Sequence, residues 1–153
     1  MELKKYQDRA LKSLRSFLSA ARVKPPAQAY AETIAGAELG NYARGGYTPV
    51  EGLEDTPYCC LRLPTGGGKT LLAAHAIKVA AETYMDRDKV PVIWLVPSNT
   101  IQVQTLDALK QQRHPYRLAL EEAFDGAVAV FDISERRQIR PRDFLDKDRK
   151  SVV

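Results

Sequence analysis

The sequence predicts an α/β fold: a mainly parallel sheet layered with helices, incomplete, and preceded by an N-terminal helix and a loop-rich insertion. Three observations carry that prediction. Short apolar runs at Tyr58 to Leu63, Val90 to Val96 (VPVIWLV) and Ala127 to Phe131 (AVAVF) have the length and composition of buried strands. Helical stretches alternate with them, from about Lys69 to Tyr84, from Ser98 or Asn99 to about Gln112, and from Pro115 to Phe124. A glycine-rich segment, PTGGGKT at Pro64 to Thr70, joins the first run to the first of these helices.

Each element has a local cause. Leu3, Tyr6, Ala10, Leu11, Leu14, Phe17 and Leu18 recur at helical spacing with charged residues between them, and Pro25 and Pro26 end the run. From Ala27 to Pro57 the pattern weakens, with Gly36, Gly40, Gly45, Gly46, Pro49 and Gly52 as punctuation. A short helix within Ala27 to Leu39 followed by loop fits this stretch, which is expected on the surface and outside the core. MDRDK (Met85 to Lys89) makes a polar turn, and Pro91 falls where a strand's first residue can lack an N–H. Ser98 or Asn99 caps the next helix, and Pro115 starts the one after it. Trp94 lies mid-run and is expected in the core. His75 is expected to be structural and His114 to lie in a loop.

Composition bounds the function. A chain of 153 residues with 44% apolar and 27% charged residues suits one globular domain. The longest nearly apolar stretch, Leu71 to Ala81, carries His75 and Lys78 and is too short to span a bilayer. The opening MELKKYQDRA has no apolar signal segment, so membrane and secreted readings are set aside and a cytoplasmic location is expected. The net charge of +4 suits a polyanionic partner as well as it suits an ordinary basic protein. Cys59 and Cys60 are adjacent, which disfavours a disulfide between them, offers no zinc spacing and fits a reducing compartment.

Pro64 to Thr70 carries the chemistry. Placed between a predicted strand and a predicted helix, it has the context of a phosphate-binding loop. Gly66, Gly67 and Gly68 let the backbone wrap an anion with N–H groups inward, and the start of the following helix adds a favourable field. Lys69 would reach the β- and γ-phosphates of ATP, and the Thr70 hydroxyl would ligate Mg²⁺. The strict pattern asks for glycine where this chain has Leu63.

LKKYQDRAL (Leu3 to Leu11), LPTGGGKT (Leu63 to Thr70) and IWLVPSNTIQVQT (Ile93 to Thr105) together resemble superfamily 2 helicases, and among them the Res subunit of type III restriction enzymes. In that superfamily a residue other than glycine at the position of Leu63 is common. The resemblance implies a RecA-like P-loop NTPase that couples ATP hydrolysis to movement along DNA, in company with a methyltransferase (modification) subunit. It implies a catalytic role for Lys69 and nucleotide contacts from Tyr6, Gln7, Pro64, Thr65, Gly66, Gly67, Gly68, Lys69 and Thr70. Gln7 would recognise the adenine edge, with Tyr6 packing beside it. Pro97, Ser98, Asn99 and Thr100 would contact a nucleic-acid backbone; plain helix capping is an equally simple use of Ser98 and Asn99.

The resemblance divides the chain into a glutamine-bearing N-terminal helix (1–20), an insertion (21–57) and a partial RecA-like domain (58–147). Residues 148–153 (DRKSVV) read either as a non-native, adapter-derived tail or as the opening of a further strand, and the chain is expected to be a fragment. No Asp-Glu box is present. Asp132 after AVAVF has the shape of a magnesium-binding strand end but is followed by Ile133 and Ser134. Two rival functions remain at this point. One is a small self-contained phosphotransferase using Asp132, and the other a non-catalytic nucleotide-binding module.

Overall fold

Helix α1 spans Lys5–Ala21 and buries Gln7, Leu14, Phe17, Leu18 and Ala21 along one stripe, as its apolar spacing requires. These helices belong to a computed structural model of the chain, which describes residues 3–34, 46–88 and 90–138. The chain leaves α1 through Arg22 to Lys24, ahead of Pro25. Helix α2, Pro26–Thr33, follows with proline at its first position, where the missing N–H costs nothing.

Helix α3, Lys69–Ala80, starts after Gly68, whose φ of 74° is left-handed. It buries Leu71, Leu72, Ala74 and Val79, and it continues into a π-helical turn at Ala81–Met85. Two ion pairs, Arg15 to Glu82 at 3.1 Å and Arg22 to Asp86 at 2.6 Å, pin this turn to α1. Both are exposed and each contributes at most about 1 kcal/mol. Helix α4, Asn99–Lys110, is capped by Ser98, whose Oγ accepts the Ile101 N–H. Helix α5, Pro115–Ala123, is capped by His114, whose Nδ1 accepts the Tyr116 N–H at 3.3 Å. A 3-10 turn covers Ile133–Gln138.

Two apolar cores meet at α3. Leu71, Ala74 and Ala81 join Val90, Leu109, Ala119, Leu120 and Phe124 in one. Val79 joins Leu14, Phe17, Leu18, Ala21 and Ala29 in the other. The second core corrects one expectation. Within the stretch expected at the surface, Ala29 is wholly buried, and Tyr30 and Tyr47 close a ring cluster with Phe17 at centroid distances of 5.7 to 6.1 Å. Residues 35–45 and 139–153 fall outside the described residues, and with them Gly36, Gly40 and Gly45 and the terminal DRKSVV.

The parallel sheet, and with it the α/β, RecA-like class, is overturned: the described residues form helices and turns and contain no strand. The second apolar run does what a strand's side chains do without what its backbone does, whereas Tyr58, Cys59, Cys60 and Arg62 of the first are exposed. Along Val90 to Val96 burial alternates, with Val92 and Trp94 packed on the first core while Ile93 and Leu95 are each 86% exposed. Period-two patterning is therefore satisfied by laying one face on the helices. Two backbone groups that a ladder would pair are taken by side chains instead: Tyr58 N–H donates to the Tyr47 hydroxyl at 2.8 Å, and Val128 C=O accepts Arg117 Nη2 at 2.9 Å. Arg117 also bonds Glu121 and the Leu109 carbonyl, so one side chain ties α4, α5 and the third apolar run together.

Candidate phosphate-binding site

Pro64 to Gly67 form a tight turn closed by Gly67 N–H to Pro64 C=O at 3.0 Å. Glycine is needed here for two reasons. Gly66 and Gly68 both sit at φ +74°, and a Cβ on Gly67 would meet the Pro64 oxygen at 2.8 Å. Thr65 and Lys69 are exposed, and Thr70 is half-buried on the first turn of α3. Lys69 Nζ donates to the Pro64 carbonyl at 3.1 Å, so this one oxygen accepts from both Lys69 and Gly67 N–H.

Helix α1 supplies the other wall. The Tyr6 hydroxyl and Gln7 Nε2 both donate to the Gly67 carbonyl, at 3.0 and 2.9 Å. Gln7 is 4% exposed, and its Oε1 accepts the Lys4 N–H at 2.9 Å, so both ends of the carboxamide are held by backbone. A Cβ on Gly68 would lie 2.6 Å from Gln7 Nε2. The structure thus gathers Tyr6, Gln7 and Pro64 to Thr70 into one place.

Pro97, Ser98, Asn99 and Thr100 are all four exposed at the start of α4. No hydrogen bond or ion pair joins them to the loop among the described residues. Asp132 caps the 3-10 turn: its carboxylate accepts Ser134 N–H and hydroxyl on one oxygen and Gln102 Nε2, at 2.9 Å, on the other. The Ser134 hydroxyl bond, then the Ser134 N–H, holds the Asp132 carboxyl below the usual carboxylate range. Sequence spacing gave no sign of the Gln102 link, since the two residues lie 30 positions apart on different elements. His75 is held below the ordinary imidazole value chiefly by burial, with Glu122 opposing.

The donor set fits a phosphate: glycines where a Cβ would collide, a flexible cation, and backbone N–H groups at the start of a twelve-residue helix. Thr70 is the loop residue that would hold Mg²⁺. No group of three or more His, Cys, Asp or Glu side chains converges as a metal site among the described residues, and no described helix is long and apolar enough to cross a membrane.

No curated protein and no solved structure matches the chain. Residues 1–151 match the family described as type III restriction enzyme, res subunit. With the match running over nearly every residue, the chain belongs to that helicase-like, ATP-dependent restriction family.

Proposed function

We propose that this chain binds ATP with Mg²⁺ at Pro64 to Thr70, and that this binding serves ATP-driven movement on DNA alongside a methyltransferase (modification) subunit. The observation that carries the reading is the loop itself, a glycine turn walled by α1 and opening directly onto the N-terminus of α3. Lys69 is the residue proposed to face the β- and γ-phosphates, leaving the Pro64 carbonyl to do so. When bound, Mg²⁺ would neutralise charge on the phosphates, with Thr70 as its protein ligand. Pro97, Ser98, Asn99 and Thr100 are proposed to meet a DNA backbone, supported by their exposure and by their place at a helix start. Equilibrium binding of a fluorescent ATP analogue with Mg²⁺ tests the reading. Saturable binding that weakens at least roughly tenfold in Lys69→Ala is expected, as for loss of a charge-assisted contact to phosphate. Equal binding by both chains, or none by either at millimolar nucleotide, overturns it.

A further inference from the structure

We infer that Tyr6 and Gln7 are positioning residues that aim and polarise the Gly68 N–H toward a phosphate oxygen, whatever base the nucleotide carries. This deepens the proposed nucleotide reading of the same loop and rests on it. The Gly67–Gly68 peptide is trans, so its N–H points opposite to its C=O. That C=O is drawn toward α1 by two donors, the Tyr6 hydroxyl at 3.0 Å and Gln7 Nε2 at 2.9 Å. The Gly68 N–H is therefore turned away from α1, and it has no acceptor among the described residues. Two donors on one carbonyl also withdraw electron density from the peptide and strengthen its N–H as a donor.

The grip is rigid. Gln7 is almost fully buried and is anchored at its other end by the Lys4 N–H, while the Gln7 backbone N–H returns a bond to the Lys4 carbonyl at 2.8 Å. Gln7 Nε2 also lies so close to Gly68 that a Cβ there would collide at 2.6 Å. By contrast, two further anion-binding groups of the loop, the Gly67 N–H and Lys69 Nζ, are both engaged by the Pro64 carbonyl. The Gly68 amide is thus a donor held ready, and the pair on α1 holds it. A glutamine engaged in this way acts on the phosphate end of a ligand.

The test compares the full chain with Tyr6→Phe, Gln7→Met and the double variant. Two readouts are used: the Gly68 amide resonance and its hydrogen exchange without ligand, and the affinities for magnesium pyrophosphate and for magnesium ATP. Each single variant is expected to move the Gly68 amide upfield and to weaken both ligands by roughly fivefold, the worth of one hydrogen bond. The double variant is expected to lose more than the product, because its Gly67 carbonyl has no side-chain donor left. A merely structural role would lower the melting temperature without moving the Gly68 resonance in the folded protein. An unmoved Gly68 amide, unchanged or tighter pyrophosphate binding, or a Gln7→Met loss confined to ATP overturns the inference. If the Gly68 amide moves as expected while the unaltered chain takes up neither ligand at millimolar concentration, the grip on the amide stands and the nucleotide reading falls.

Discussion

Gln7 donates its side-chain amide to the carbonyl of Gly67 at 2.9 Å, joining the first turn of α1 to a loop sixty residues further along the chain. The contact is buried and shares its acceptor with Tyr6. It makes the N-terminal helix part of the phosphate loop's construction, and it gives a separation along the sequence a structural meaning.

Replacing Gln7 should therefore be felt in stability. Gln7→Ala strips the Gly67 carbonyl of one donor and the Lys4 N–H of its acceptor, in a nearly fully buried place. A loss of about 1–3 kcal/mol is expected, read as a lower urea midpoint at unchanged slope. Gln7→Glu should cost at least as much, because a carboxylate would face the Gly67 oxygen with no proton to give. A Gln7→Glu chain as stable as the original would contradict the placement.

The glycines of the loop should rank by what surrounds them. Gly66→Ala meets open space and pays only for its left-handed backbone, about 1–2 kcal/mol. Gly68→Ala bears the same backbone strain and collides with Gln7 as well, so it should be the more destabilising of the two. Thermal melts of the two variants decide the order.

Ala29 tests the second core. It is wholly buried and belongs to the same cluster as Leu14 and Phe17, so Ala29→Leu should overpack this core at about 1–3 kcal/mol. A surface alanine would tolerate leucine with no change in the melt.

Asp132 should make stability depend on acid. Its folded carboxyl is held below the ordinary value by the Ser134 hydroxyl first, so the stabilisation is complete above the usual carboxylate range. It fades as pH falls through the lowered folded value. Asp132→Ala should thus melt earlier than the original chain at pH 7, and the gap should narrow as the pH is taken below the usual carboxylate range. A gap that widens on acidification would reverse the sign.

The helices were largely legible because their causes are local. Ser98 and Pro115 announce α4 and α5 as a cap and a first-turn proline, and the α1 stripe follows from Leu14, Phe17 and Leu18. The sheet was misread because alternation along Val90 to Val96 reports which side chains are covered, and a ladder needs a neighbouring backbone that alternation cannot show. Ala29 and Tyr47 read as surface because the stretch that holds them carries no apolar period, although Phe17 supplies the surface they pack on. At the site, the residue types at Pro64 to Thr70 were readable. The use of the Pro64 carbonyl as acceptor for both Gly67 and Lys69 was not, since it arises from the turn's geometry.

The most direct measurement of the central claim is a titration of magnesium ATP into the full chain, following the backbone amide resonances of Gly66, Gly67, Gly68 and Lys69. If this loop is a phosphate site, those four amides should shift together along one saturable curve, while amides near the far end of α3, such as Val79, stay in place. Four unmoved amides in a folded chain at millimolar ATP would contradict it.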